Sequence, residues 1–304
     1  MTRRPDPGMA PGVGAADPAT GAPPREAARH AGAPLYLAGT CLLDAPPLTV
    51  IDAAAHAGFA GVGLRLHPSP RLPYHPVVGN AALIGAIEAA LAATGLRLLD
   101  ALSFYLQPDF SLARMLPALE LAARLRMPWL LAQGDDPEPA RLATHFASFC
   151  AAAHQFGLGV ALEFVPARPL ATLHQALALL DSVQPAHAGI LVDTLHLVRS
   201  GGDAAQLRQV AHSAPQRLAF AQLSDGMLGP GEDTLALGRQ TAGVRALPGA
   251  GNLPLRALVA ALPEGLPLSV EVLQPTSGPQ ASLTPRQWAR LCLSTTRTLL
   301  DTPP

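Results

Sequence analysis

Short apolar segments alternate with longer helical ones along most of the chain. Eight segments of five to eight residues are dominated by Leu, Val, Ala and Phe. None of them shows the alternation of apolar and polar positions that marks a strand with one solvated face. Continuously apolar strands are typical of parallel sheets that are covered on both faces. We therefore predict parallel strands over residues 35–39, 61–66, 96–103, 128–133, 159–165, 188–193, 218–224 and 268–273.

Helical segments follow these strands. Residues 48–58, 81–95, 111–126 and 140–157 have helical composition, and a last helix covers about 285–300. Several of them stop at a glycine just before the next strand, as a helix C-cap does. Eight strand–helix units with a repeat of roughly 30 residues match a (β/α)8 barrel. The alternative is a doubly wound open sheet, which would be favoured by a GxGxxG turn that the chain lacks.

The N-terminal segment differs from the rest of the chain. Residues 1–33 are mostly Pro, Gly and Ala with a few charges and no periodicity. Such a segment buries too little apolar area to offset its ordering entropy. The sequence thus predicts a disordered tail, 1–33, and one TIM-barrel domain, 34–304.

Composition and charge exclude several classes of protein. Only 14% of the 304 residues are charged and the net charge is −1, so no global field attracts nucleic acid or an anionic membrane. Cys41, Cys150 and Cys292 form no CxxC pair, which argues against a disulfide framework or a thiolate zinc site and fits a reducing compartment. The apolar segments are too short to span a bilayer, and no export signal is recognisable. We expect a cytoplasmic protein without nucleic-acid or membrane partners.

Polar residues stand at the ends of the four later strands. Glu163, Asp193, Gln222 and Glu271 follow one another at intervals of 30, 29 and 49 residues. Functional groups of such barrels lie at the carboxyl ends of strands, where neighbouring strands are about 4.8 Å apart. Three carboxylates and an amide oxygen would suit Mg²⁺ or Mn²⁺ and accept Co²⁺ or Zn²⁺. Alternatively, each acid faces solvent or pairs with an arginine.

The order of these motifs resembles a known family. The pattern "ALEF…ILVDTLH…FAQLSDG…PGAG…LSVEV" is similar to the xylose isomerase-like, sugar phosphate isomerase/epimerase superfamily of metal-dependent TIM barrels, over about residues 35–300. The resemblance implies that the four strand-end residues hold one divalent metal ion, commonly Mn²⁺, Mg²⁺, Co²⁺ or Zn²⁺. Epimerases of the family usually have histidine at the position of Gln222, whereas the 3-dehydroshikimate dehydratase-like branch has glutamine there.

The resemblance also indicates a proton carrier and substrate-binding residues. His196 in the "DTLH" motif matches a residue that faces the substrate beside the metal, and imidazole can exchange a proton near pH 7. The alternative is a structural histidine at a helix start. The sequence departs from the family's R-x-x-R-x-x-PGEG pattern at Ala242 and Ala250. The candidate substrate-binding residues are Arg65, His67, Arg199, Arg245 and Asp225.

These residues predict metal-assisted proton abstraction next to a carbonyl group. In relatives that isomerise or epimerise, two such glutamates act as paired base and acid, so the resemblance implies this role for Glu163 and Glu271 with a small polyhydroxylated substrate. The alternatives are a dehydroshikimate dehydratase-like lyase, with His196 as proton shuttle, and a non-catalytic small-molecule-binding barrel. A phosphoesterase of the endonuclease IV kind would need more histidine ligands and a cationic face. A homodimer is compatible with the resemblance, but the sequence shows no interface.

Overall fold

The structure is a computed structural model in which residue 30 and residues 32–69, 72–228 and 245–301 are described. The predicted disordered tail, residues 1–33, lies almost entirely outside these ranges. Ala242, one of the two departures from the family pattern, lies outside them as well.

Eight parallel strands close into a barrel, in which each strand pairs with its neighbours in chain order and β8 pairs with β1. This confirms the predicted (β/α)8 TIM barrel and excludes the doubly wound open sheet. The strands are β1 (Leu35–Leu37), β2 (Gly61–Arg65), β3 (Arg97–Leu106), β4 (Trp129–Gly134), β5 (Gly159–Glu163), β6 (Ala188–Asp193), β7 (Leu218–Leu223) and β8 (Leu268–Val270).

Helices connect the strands and surround the barrel. They are α1 (Pro47–Ala57), α2 (Ala81–Thr94), α3 (Leu112–Arg124), α4 (Pro139–Gln155), α5 (Leu173–Val183), α6 (Thr194–Arg199), α7 (Ala204–Ser213), α8 (Leu255–Ala261) and α9 (Pro285–Asp301). The four long early helices and α9 were predicted. The four from α5 to α8 were not assigned from the sequence, and α6 has only six residues, which is too short for a helical period to show.

Element ends follow local chemistry. Gly58 and Gly95 end α1 and α2 in the left-handed region, with φ values of 94° and 70°, where glycine carries no Cβ penalty. β3 continues to Leu106, beyond its predicted end, and β8 stops at Val270. Glu271 therefore follows β8 directly instead of lying within it.

The apolar core has two layers, and the polar residues lie at the carboxyl end of the barrel. The larger core fills the space between strands and helices, and a smaller cluster fills the barrel interior. That inner cluster comprises Tyr36, Leu99, Leu102, Leu131, Ala161, Leu191, Ala219 and Phe220, with Trp129 packed against it. A barrel interior filled in this way is a packed core and not a pore, so the carboxyl end is the place for a site.

No helix within the described ranges combines the length and apolarity needed to cross a lipid bilayer.

Candidate functional site

The register of the barrel brings the four predicted strand-end residues to one end. Glu163 and Asp193 are the last residues of β5 and β6, Gln222 is the last but one of β7, and Glu271 directly follows β8. The Cα atoms of Asp193 and Gln222 are register partners. All four side chains are buried, and the most accessible, Glu271, is 7% exposed. Because side chains of successive strand ends point into one space, the four polar groups share one environment.

Arg245 supplies a cation to this cluster. Its Nη1 donates to Asp193 Oδ2 over 2.6 Å and to Ser224 Oγ over 2.7 Å, while Nη2 lies 2.8 Å from Glu271 Oε2. Two of the three acids thus pair with an arginine, as the alternative interpretation of the strand-end acids allowed. One guanidinium balances only one of three carboxylates, so two negative charges remain in the cluster when all three acids are ionised.

The pKa values of the three acids are shifted in different directions. Burial, together with Glu271 and Asp193, raises the pKa of Glu163 to about 8. The pKa of Glu271 is raised by burial, against the opposing effect of Arg245. Burial would also raise the pKa of Asp193, but Arg245, His196 and a hydrogen bond from the His196 amide hold it below its ordinary value. The site favours a proton or another cation on Glu163 before any on Asp193.

His196 is fixed beside the acids by the start of α6. Asp193 caps this helix, and its Oδ1 accepts a 2.8 Å hydrogen bond from the His196 backbone amide. His196 Nε2 lies 3.3 Å from Arg245 Nη2 and 3.7 Å from Glu163 Oε1. Since a guanidinium only donates, Nε2 accepts, which places the ring proton on Nδ1. Burial, with contributions from Arg245 and Arg199, lowers the pKa of His196 to about 4, so the ring is neutral at pH 7.

The residues at this end fit a divalent cation. Glu163, Asp193 and His196 each offer a ligand atom, and these atoms lie within 4.8 Å of one another, so the three could hold a metal ion. Both amide atoms of Gln222 are buried and have no hydrogen-bond partner among the described residues. A buried amide oxygen without a partner is costly, and a cation would satisfy it while balancing the surplus carboxylate charge.

A cavity of about 220 Å³ lies beside these groups, and Asp193 and Gln222 are not among the described residues that line it. Glu163, His196, Arg245 and Glu271 line it. Thr40 and Gln133, also in its wall, hold the two glutamates: Thr40 Oγ1 donates to Glu271 Oε1 over 2.7 Å, and Gln133 Nε2 donates to Glu163 Oε2. The cavity can therefore present two fixed carboxylates to one small molecule.

The other sequence-predicted residues are placed differently. Arg65 lines a separate cavity of about 20 Å³, and the His67 ring packs against Phe104 with centroids 5.4 Å apart. Arg199 is buried in α6 and acts on His196 through its charge. None of these three is among the described residues that line the 220 Å³ cavity. Of the five candidate substrate-binding residues, Arg245 reaches this cavity.

Asp225 organises the loop that carries the "PGAG" motif. Its Oδ2 accepts hydrogen bonds from the backbone amides of Gly249 and Gly251, each over 3.0 Å, and its Oδ1 accepts one from Leu253 over 3.0 Å. A Cβ atom on Gly251 would lie 2.4 Å from Asp225 Oδ1, so this approach needs glycine. Asp225 positions the chain that follows Arg245, and Ala250 lies within that loop.

Sequence reasoning missed most of the cavity wall, including three polar residues that contact the acids or carry charge: Gln133, Thr40 and Arg168. Gln133 lies near the end of β4. The strand-end rule was applied to the four later strands, and applying it to β4 as well would have identified Gln133. Thr40 and Arg168 lie in the connections after β1 and β5, and no periodicity or motif distinguishes them in the sequence.

Comparison with known proteins gives one family and many similar folds. The chain matches the model of the xylose isomerase-like TIM barrel family over residues 51–292. Comparison with curated protein sequences gives no significant match.

The structure is similar to the IolI protein with a bound zinc atom, with TM-score 0.68 and 16% identity over 88% of this chain and 98% of that one. It is also similar to a xylose isomerase domain protein from Alicyclobacillus acidocaldarius subsp. acidocaldarius, with TM-score 0.67 and 24% identity over 88% and 98%. D-psicose 3-epimerase in the presence of D-fructose gives TM-score 0.64 and 15% identity over 88% and 100%. At these identities the likeness shows the fold, and the family match over most of the chain shows that the protein belongs to the xylose isomerase-like TIM barrel family.

Proposed function

We propose that the protein is a divalent-metal-dependent isomerase or epimerase that removes a proton next to a carbonyl group of a small polyhydroxylated substrate. The observation that carries the proposal is the placement of Glu163 and Glu271. They come from β5 and from the end of β8, which are not neighbours, and both line the same 220 Å³ cavity. Two carboxylates that approach one substrate from different strands can serve as base and acid.

The proposed ligands of the metal ion are Glu163, Asp193, Gln222 and Glu271. Support comes from the burial of all four, the unpaired amide of Gln222 and the surplus of carboxylate charge. When bound, a divalent cation polarises a substrate carbonyl and acidifies the adjacent C–H bond. Mn²⁺, Mg²⁺, Co²⁺ and Zn²⁺ all accept such a mainly oxygen set.

The chain's own residues then have distinct tasks. Glu163, held by Gln133, takes the proton from one side of the substrate carbon, and Glu271, held by Thr40, returns a proton from the other. Neutral His196 passes a proton between substrate oxygens through Nε2, the ring atom nearest Glu163 and Arg245. Arg245 orients these groups through its contacts with Asp193, Glu271 and His196.

A lyase is the second candidate. Elimination of a β-hydroxyl group begins with the same proton abstraction, and Gln222 resembles the ligand of the dehydroshikimate dehydratase-like branch. Wild-type protein with Mg²⁺ should incorporate solvent deuterium next to the carbonyl of a ketose or of 3-dehydroshikimate, as read by mass spectrometry. Isomerised product identifies the first candidate and a dehydrated product the second. Absence of exchange with every compound would contradict both and favour a non-catalytic binding barrel.

His196→Ala should lower kcat by about a hundredfold or more, the scale of a lost proton carrier, while metal content changes little. The physical reason is that His196 Nε2 contacts Glu163 and Arg245 inside the cavity but lies outside the proposed ligand set. The check is kcat for deuterium exchange together with elemental analysis of the same sample. Loss of the metal in parallel with activity would instead make His196 a ligand. His154→Ala, on the outer helix α4, serves as the matched control.

A further inference from the structure

The 220 Å³ cavity contains a second guanidinium that is already neutralised. Arg168 Nη1 lies 2.6 Å from Asp135 Oδ2, and both side chains are largely buried, with 10% and 14% exposure. The Arg168 guanidinium also covers the ring of Tyr105 at 4.7 Å from its centroid. Gln107 Nε2 donates to the same Asp135 oxygen over 3.0 Å. Arg168 lines the cavity, but its charge is balanced by the carboxylate of Asp135.

Both guanidiniums of the described cavity wall are paired with carboxylates. Arg168 pairs with Asp135, and Arg245 pairs with Asp193 and Glu271. A substrate phosphate carries roughly −1.5 to −2 charges at pH 7. It would enter a cavity in which each guanidinium of the described wall is paired with carboxylate, and burying an uncompensated anion is costly.

The rest of the wall suits an uncharged molecule. Leu72, Leu102, Leu131, Val165, Ala167 and Leu273 form its apolar part. Ser103, Thr40 and Gln133 add neutral hydrogen-bonding groups. Hydroxyl groups and carbon surface can be matched by such a wall without desolvating a charge.

We propose that Asp135 is a specificity-determining residue: by neutralising Arg168 it reserves the cavity for uncharged polyhydroxylated carbonyl compounds and disfavours phosphorylated or carboxylated ones. This inference rests on the proposed function, because it concerns the substrate of that proposed reaction. It also bears on the choice between the two candidate functions, since 3-dehydroshikimate carries a carboxylate.

Matched substrate pairs test the inference. D-fructose and D-fructose 6-phosphate, and D-xylulose and D-xylulose 5-phosphate, differ within each pair only by the phosphate. Deuterium exchange by wild-type, Mg²⁺-loaded protein should favour the uncharged member by tenfold or more in kcat/KM. Asp135→Asn releases Arg168 and should lower this preference at least tenfold, mainly by reducing KM for the phosphorylated member. Adding Arg168→Met to Asp135→Asn should restore the preference.

Asp181→Asn is the matched control, because it removes the same charge from an exposed pair with Arg217, next to the amino end of β7; it should change neither KM. A wild-type preference for the phosphorylated member would overturn the inference and leave the proposed function standing, and so would an Asp135→Asn variant with an unchanged ratio. No exchange with any compound would overturn both. If Asp135→Asn fails to fold, as judged by its thermal transition, the wild-type ratio alone decides.

Discussion

Glu163→Gln and Glu271→Gln should each lower kcat for deuterium exchange by about a thousandfold or more. Loss of a general acid or base alone costs about 10²- to 10⁴-fold, and each glutamate is also a proposed metal ligand. The amide keeps the shape of the carboxylate, so Gln133 and Thr40 retain a neighbour of the same size at Glu163 and Glu271. The fold should survive both changes.

The control for these variants is Glu88→Gln. Glu88 lies on α2 and pairs through both oxygens with Arg124 on the exposed side of α3, at 2.8 and 3.0 Å. This exchange has the same chemistry outside the cavity and should leave kcat within about twofold, since exposed pairs contribute little. More than a tenth of wild-type activity in either Glu163→Gln or Glu271→Gln would break the two-glutamate mechanism.

Arg245→Met should destabilise the metal-free protein by about 3–5 kcal/mol, the usual cost of removing one partner from a buried ion pair. Asp193 and Glu271 would lose the cation that lies 2.6 and 2.8 Å from their oxygens. A divalent cation should restore most of the loss, because it binds the folded state and supplies the missing charge. Urea unfolding in EDTA and in Mg²⁺ measures both quantities.

Two comparisons make the Arg245 result specific. Arg245→Lys keeps a positive charge and should lose less stability than Arg245→Met in EDTA. Arg217→Met removes an arginine from the exposed pair with Asp181 and should cost at most about 1 kcal/mol, with no response to Mg²⁺. Equal stability of Arg245→Met and wild type in EDTA would show that the carboxylates do not depend on this guanidinium.

The barrel and the strand-end acids could be predicted because both follow from short-range patterns. Continuously apolar strands with helices between them specify a covered parallel sheet. The last residues of consecutive parallel strands then meet at one end, whatever the loops do. Glu163, Asp193, Gln222 and Glu271 needed no knowledge of side-chain partners.

The strand-end rule did not bring Arg65 and His67 into the cavity. The extra residue in the pairing of β2 with β3 lies on β3, since Val62 and Leu64 pair with Leu98 and Ala101. Arg65 lines a separate cavity, and His67 packs against Phe104. Which space a strand-end side chain enters depends on the connections around it, and the hydrophobic pattern does not show their paths.

The sequence marked Arg245 as a candidate site residue, but it did not show which acids pair with which arginines. Arg245 follows Gln222 by 23 residues, in a connection without periodicity. Asp135 and Arg168 lie in different connections, after β4 and after β5, and meet when these neighbouring strands pair. Long-range ion pairs of this kind depend on loop geometry, whereas strand positions depend on local hydrophobicity.

Metal content decides whether the strand-end carboxylates hold a divalent cation. Elemental analysis should be made on wild-type protein and on Asp193→Ala, purified side by side and dialysed after exposure to Mn²⁺. Close to one Mn, Mg, Co or Zn per wild-type chain, lost in Asp193→Ala, is the result that a carboxylate-held catalytic metal predicts. No metal in either protein would contradict the proposed metal site. The buried acids would then have Arg245 as their cation.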